Sequence, residues 1–344
     1  MHALARVVAG HDANSLAVAL SVVGFLGAAL LAFVLTYAVR EHARRAGLFD
    51  RPEEHNGHGQ QVLRAGIPRV GGVAIALAVT VTVNWMAALV PRVGLAVFSG
   101  PGRGLFVTLC GALAVHLVGL VDDVHPVRAR WKLTAQALVA LLVYQAGVRV
   151  TAVALPAFGV VQLGAPVGAL LTVGWLVGAT NAFNLIDGVD GLAPGVALFA
   201  LVPIVAGAAA HHRLDVAVAG LILAGASLGF LWFNAYPASI FLGDSGSLFM
   251  GFMLAGVGLL STQASPGVVT AAVPVVALGL PLLDTLLAVA RRTWRGRSIF
   301  VADREHIHHR VLDRMAADGY SPRAAVRVLY GVCALFAVVG AALR

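Results

Sequence analysis

Long apolar runs separated by short polar segments repeat along this chain, and no other feature restricts its fold so tightly. A helix needs roughly 20 mostly apolar residues to cross the hydrocarbon of a bilayer. Ten runs approach or meet that length, at about 15–39, 70–90, 104–121, 132–147, 166–183, 193–210, 215–234, 246–263, 268–290 and 325–343, the fourth being the shortest. Composition agrees: of 344 residues 59% are hydrophobic and 12% charged, about half the charged share of a soluble domain. Lipid offers no hydrogen-bond partner to open backbone, so spans of this kind close their bonds within helices. The expectation is an all-α, polytopic integral membrane protein with about ten transmembrane helices, folded as a single domain over 1–344. The stretch 148–165 is apolar but broken by Pro156, Gly159 and Gly164, and reads as an external loop or hairpin near the interface. The first run is too long for the apolar core of a signal peptide. It ends in Arg40, Arg44 and Arg45, as a first span with its N-terminus outside would. Cys110 and Cys333 lie inside apolar runs without a CxxC, and read as packed thiols rather than a disulfide framework.

The formal net charge is +8, nearly all of it arginine, and Lys132 is the only lysine. The arginines lie between apolar runs rather than in one patch, so nucleic acid is not the expected partner. Alternating the chain through ten spans places 40–69, 122–131, 184–192, 235–245 and 291–324 on one side. With Lys132 and Arg327 at the adjoining helix ends, that side holds 18 of the 24 Lys+Arg. The positive-inside rule makes it the cytoplasmic side. Asp122, Asp123, Asp187, Asp190, Asp244, Asp303, Glu305, His125, His306, His308 and His309 fall on the same side. Charge alone therefore gathers the chemically useful groups on one face.

Five segments carry them. Gly119–Leu–Val–Asp122–Asp123–Val–His125 ends a span with two adjacent acids. Neighbouring side chains point apart, so one acid can bind a cation while the other takes a proton. A plain solvated helix end is the alternative, although acids are unfavourable at the negative end of the helix dipole. Lys132, at the start of the next span, suits a phosphate or an interfacial anchor. In Asn181–Ala–Phe–Asn184–Leu–Ile–Asp187–Gly–Val–Asp190–Gly–Leu the acids share a face if the backbone stays helical. The asparagines can bond a base, ribose or phosphate, and a Gly/Asp turn between helices is the alternative. Gly243–Asp244–Ser245–Gly–Ser precedes an apolar run, as a phosphate- and Mg²⁺-binding helix start would, or as a simple N-cap would. Asp303–Arg304–Glu305–His306–Ile–His308–His309–Arg310 reads as anion-binding, as a polar helical face or, less naturally without cysteine, as a zinc site. Arg64–Ala–Gly–Ile–Pro68–Arg69–Val–Gly–Gly fits a headgroup-binding turn or a positive-inside stop. Asp284, at membrane depth, is a functional candidate because such groups are costly there.

Taken in order, Val–Asp122–Asp123, Asn–x–x–Asn184–x–x–Asp187–Gly–x–Asp190–Gly–Leu, Gly–Asp244–Ser–Gly–Ser and His306–Ile–His308–His309 resemble the signatures of the polyprenyl-phosphate N-acetylhexosamine-1-phosphate transferases, the MraY/WecA-like glycosyltransferase family 4. The resemblance covers about 40–340 and implies an active-site cleft at the cytoplasmic face. It implies Mg²⁺, or Mn²⁺ in its place, and transfer of a sugar-1-phosphate from a UDP-sugar donor to polyprenyl (undecaprenyl) phosphate with release of UMP. It implies Asp244 and Asn184 as metal-site residues, and a catalytic group of Asp122, Asp123, Asp187 and Asp190. Substrate contacts would come from Lys132, Asn181, Asn184, Ser245, Arg304, His306, His308 and His309. Relatives also carry a cation before the Pro–Arg–x–Gly–Gly turn. Here the segment reads His55–Asn–Gly–His58–Gly–Gln–Gln–Val–Leu–Arg64 without a clean match, and Arg64 stands as the candidate.

The His–Ile–His–His form resembles the WecA/TagO-like UDP-GlcNAc branch, which initiates lipopolysaccharide, teichoic acid or capsule synthesis in the bacterial inner membrane. The peptidoglycan branch, acting on UDP-MurNAc-pentapeptide, has three consecutive histidines. A membrane transporter is the rival from another class, and it predicts acids at mid-membrane depth and broken helices in paired halves. Lipids surround either kind of protein, and a homodimer is compatible with both.

Overall fold

The computed structural model describes residues 13–47, 66–89, 102–155, 159–265, 268–270, 272–296 and 305–343. Twelve helices account for most of them: α1 (Ala13–Arg45), α2 (Gly71–Leu89), α3 (Arg103–Val124), α4 (Ala129–Gln145), α5 (Ala165–Leu185), α6 (Leu192–Ala210), α7 (Leu214–Asn234), α8 (Gly243–Ser261), α9 (Ala272–Ala277), α10 (Gly279–Trp294), α11 (Ile307–Ala317) and α12 (Pro322–Ala342). Eight are long and apolar enough to cross a membrane: α1, α2, α3, α5, α6, α7, α8 and α12. The molecule is an all-α polytopic membrane protein. Its outer surface is as apolar as its interior, with Leu30, Leu142, Leu170, Leu335 and Val338 each more than 60% exposed. Water would penalise that surface, and lipid does not.

Two of the ten expected spans depart from a single long helix. The fourth is α4, 17 residues long. The ninth, expected over 268–290, begins as a short strand, continues as α9, turns at Leu278 and resumes as α10. Pro281 explains the break: it has no N–H for the carbonyl four residues back, and its ring crowds that carbonyl. The interrupted stretch 148–165 forms a hairpin, β1 (Ala152–Leu155) with β2 (Gly159–Gln162). Two further short strands, β3 (Gln263–Ser265) and β4 (Val268–Val269), complete a small sheet of order β2-β1-β4-β3, with β1 and β4 parallel.

Helix α8 is the axis of the bundle. Every one of its residues is buried, and α2, α3, α5, α6, α7 and α9 pack around it. Its sequence, GDSGSLFMGFMLAGVGLLS, mixes small residues with large apolar ones. Helices in lipid associate through close packing rather than through expulsion of water, which favours such a mixture. The sheet gathers at the end of the bundle where α8 finishes, and the acid motifs gather where it starts. Exposed Trp131 and Trp294 lie beside Arg130 and Arg291–Arg292 near that second end, as aromatic and basic anchors do at a membrane–water boundary.

Candidate active site at the start of the central helix

The Gly243–Asp244–Ser245 motif forms the first turn of α8 rather than a loop before it. Gly243 has φ +74, a left-handed conformation that glycine adopts without strain. The turn is fixed from outside the helix. Asp123, at the end of α3, accepts the Asp244 N–H at 2.7 Å on Oδ1 and the Ser245 N–H at 3.0 Å on Oδ2. A carboxylate on the free amides of a helix start is favoured by hydrogen bonding and by the helix dipole. The Asp123 side chain is fully buried in this role. Gly119, one turn earlier, allows the approach: a Cβ there would stand 2.5 Å from the Asp244 carbonyl oxygen.

The Asp244 side chain faces two cations. Lys132 Nζ, from α4, donates to its Oδ2 at 2.7 Å and to Asp122 Oδ2 at 2.9 Å. Arg69 Nη2 donates to its Oδ1 at 3.1 Å, while Arg69 Nε lies 3.6 Å from Asp123 Oδ1. Asp122 also accepts the Val127 N–H at 2.7 Å, which pins the short α3–α4 connection. Arg69 was not among the residues expected at the site, although its Pro–Arg–x–Gly–Gly turn was recognised. Its aim comes from a backbone zipper that sequence does not display: Phe241 N–H donates to the Pro68 carbonyl at 2.8 Å, and the Gly71 and Gly72 N–H groups donate to the Phe241 and Leu242 carbonyls at 3.0 and 2.8 Å.

The second motif lies beside this cluster. Asn184 donates to Ser247 Oγ at 2.7 Å, joining α5 to α8. Asn181, one turn deeper, donates to the Val177 carbonyl at 2.7 Å and to Gln136 of α4. Asp187 follows the end of α5. Burial pushes its carboxyl well above the usual range; the Arg69 guanidinium pulls it back, and Asp244, Asp123 and Asp190 add to the rise. The residue as a whole is half-buried, and its carboxyl is crowded by these acids. Asp190 turns elsewhere and accepts the Ala238 N–H at 3.1 Å, holding the α7–α8 connection. Ser245 is fully buried, and its hydroxyl has no hydrogen-bond partner among the described residues. It belongs to the frame of the site rather than to its open surface.

The histidine motif opens α11 and is held by Asp284 of α10. Asp284 Oδ1 accepts the Ile307 N–H at 2.7 Å, Oδ2 lies 2.6 Å from His308 Nδ1, and His306 Nδ1 lies 3.3 Å from Oδ1. Burial, then the His308 and His306 imidazoles, push His309 down to about 4. The motif reaches the second segment at Gly188, where a Cβ would lie 3.5 Å from His309 Cε1 and 3.6 Å from His308 Nε2. Arg64 and Arg304 lie outside the described residues.

Two groups have donors for a cation. Asp284, His306 and His308 offer ligand atoms within 4.8 Å of one another. The cluster around Asp244 offers carboxylate oxygens, which suit a hard divalent ion. Four acids there, Asp122, Asp123, Asp187 and Asp244, face two cations, Arg69 and Lys132, leaving two negative charges over. The rise at Asp187 comes first from burial, with the neighbouring acids adding to it, and the cluster as a whole remains acid-rich. A divalent ion fits it, with Asp244, Asp122 and Asp187 as available ligands, since Asp123 commits both oxygens to amides.

Fold and site together define an all-helical polytopic membrane protein whose buried central helix begins in a cluster of carboxylates and cations. The acids of the sequence motifs gather at the end of the bundle where α8 starts, an arrangement the transporter reading does not predict. Residues 105–262 match the model of glycosyl transferase family 4. The chain is 31% identical to the "Probable undecaprenyl-phosphate N-acetylglucosaminyl 1-phosphate transferase" of Bacillus subtilis, over 94% of this chain and 85% of that protein. It is 35% identical to the "Decaprenyl-phosphate N-acetylglucosaminephosphotransferase" of Mycobacterium tuberculosis, over 90% and 79%. A "Phospho-N-acetylmuramoyl-pentapeptide-transferase" of Rubrobacter xylanophilus is 32% identical over 80% and 83%. The chain belongs to glycosyl transferase family 4.

Proposed function

We propose that this protein transfers a HexNAc-1-phosphate, with GlcNAc as the sugar, from a UDP-sugar to polyprenyl phosphate, releasing UMP and starting a cell-envelope polysaccharide. The observation that carries the reading is the pairing of Asp244 with Lys132 and Arg69 amid three further acids, Asp122, Asp123 and Asp187. Phosphoryl transfer between two anions depends on positioning and charge neutralisation, and this cluster supplies both. Mg²⁺ bound at Asp244, with Asp122 and Asp187, would neutralise phosphate oxygens and orient the diphosphate. Lys132 and Arg69 are placed to meet incoming phosphate oxygens in exchange for their present carboxylate partners. Asp122 is the acid best placed to take a remaining proton from the lipid phosphate, because Asp123 holds the α8 backbone instead. An oxygen of the lipid phosphate bonds to the β-phosphorus, the bond from that phosphorus to the bridging oxygen breaks, and UMP leaves. The sugar is argued from the His–Ile–His–His motif and from the names of the Bacillus and Mycobacterium relatives. The arginine bias supports a site end that faces the cytoplasm, and the bacterial relatives support the inner membrane as its location.

The test is UMP release by the purified protein with undecaprenyl phosphate and Mg²⁺, comparing UDP-GlcNAc, UDP-GalNAc and UDP-MurNAc-pentapeptide. Lipid-dependent UMP from UDP-GlcNAc is expected. UMP from the muramyl-peptide donor alone would move the protein to the peptidoglycan branch. Asp244→Asn should lower the rate by on the order of a hundredfold or more, and unchanged turnover would remove Asp244 from the metal role.

A further inference from the structure

Asp284 and His308 form a pair that the transfer step above leaves without a task. Both are 1% exposed. His308 Nδ1 lies 2.6 Å from Asp284 Oδ2, the length of a charge-assisted hydrogen bond. The other carboxylate oxygen accepts the Ile307 N–H at 2.7 Å, so the acid is held by the backbone of α11 while it holds the ring. A neutral imidazole that donates from Nδ1 carries its lone pair on Nε2. That Nε2 is buried and has no hydrogen-bond partner among the described residues. It faces Gly188, between Asp187 and Asp190, at 3.6 Å from where a Cβ would stand. A buried acceptor left unsatisfied costs about 1–3 kcal/mol, so a donor group reaching Nε2 would be stabilised there.

We propose that Asp284 is a positioning residue that fixes His308 as the Nδ1–H tautomer, so that Nε2 accepts a hydrogen bond from an O–H or N–H of the sugar nucleotide at the Asp187–Asp190 loop. The inference rests on the transferase reading for the identity of the ligand, and on geometry alone for the tautomer. A transition metal held by Asp284, His306 and His308 is the competing use of the same atoms. The geometry favours the pair, because the short Nδ1 to Oδ2 distance and the bond from Ile307 already engage both carboxylate oxygens.

The experiment is ¹⁵N NMR of histidine-labelled full-length protein in lipid nanodiscs, with the His308 signals identified by their loss in His308→Gln. The native protein should show His308 protonated at Nδ1, and saturating UDP-GlcNAc should shift its Nε2 resonance. In Asp284→Asn one acceptor oxygen becomes an amide nitrogen. If Ile307 keeps the remaining oxygen, the ring is driven to the Nε2–H tautomer without loss of fold. KM for the UDP-sugar should then rise about tenfold, with KM for the lipid phosphate and the melting temperature unchanged. A ring protonated at Nε2 in the native protein, whether as the Nε2–H tautomer or as the imidazolium with both nitrogens protonated, would overturn the proposal, and that measurement needs no variant to fold. So would an unshifted Nε2 under UDP-GlcNAc that is being turned over, or one equivalent of zinc retained by the native protein and lost in Asp284→Asn. If no UDP-sugar were turned over, the transferase reading and the assigned ligand would fall together, and the tautomer would still be decided.

Discussion

Asp122 and Asp123 are neighbours in sequence with opposite duties, and the difference is measurable. Asp123 is sealed inside the protein on two amides of α8, whereas Asp122 touches Lys132 and the Val127 N–H and keeps some exposure. Asp123→Asn turns one acceptor into a donor facing an amide and should cost about 1–3 kcal/mol of stability, seen as a lower melting temperature along with lost activity. Asp122→Asn keeps an oxygen for Val127 and leaves Lys132 to Asp244, so it should melt near the native protein while losing UMP release. Equal melting of the two variants would mean that Asp123 does not hold the helix. Asp187 gives a prediction in pH. Its folded-state pKa is raised, so the neutral acid stabilises the fold fully below the unfolded value of about 4, and that stability is lost as pH rises through the folded value. Asp187→Asn should therefore be more stable than the native protein near pH 7 in EDTA, and indistinguishable from it well below pH 4. A native protein as stable as the variant at neutral pH would show that Asp187 is not desolvated.

At the scale of elements, the site is a matter of how closely α3 and α8 approach. Gly119→Ala would press a methyl group into the Asp244 carbonyl. Overpacking of this kind costs about 1–3 kcal/mol, and here it would also move the turn that carries Asp244. A lower melting temperature with loss of UMP release is expected, and native behaviour would mean that the helices can part without harm. Most elements were legible because a span announces itself by length and apolarity. The departures have local causes. Pro281 breaks the ninth run, and α8 begins three residues before its apolar run because Asp123 and Gly243 let polar residues enter the helix. Arg69, Gln136 and Ser247 were not anticipated as partners at the site, since each meets its contact through tertiary packing that no local pattern encodes. Asp284 was flagged by its cost at membrane depth, but its link to the histidines joins segments 24 residues apart.

At the scale of the whole molecule, the loops that bear the acid motifs converge on one end, and the small sheet occupies the other. The arginine bias predicts which end faces the cytoplasm. In a Cys110→Ser background, Arg149→Cys should react with a membrane-impermeant maleimide added outside cells, and Arg323→Cys only after permeabilisation; the reverse pattern would invert the orientation. The fold also gives the molecule an unusual chemical address. The chain contains a single lysine, and that lysine is the one clasped between Asp122 and Asp244, with its side chain 21% exposed. Apart from the terminal amine, the amine that an acylating reagent can reach is therefore the one held between these two acids. The rate at which the native, unmutated protein takes up such a tag becomes a gauge of whether the acid cluster is occupied, readable by intact mass without any label built into the chain.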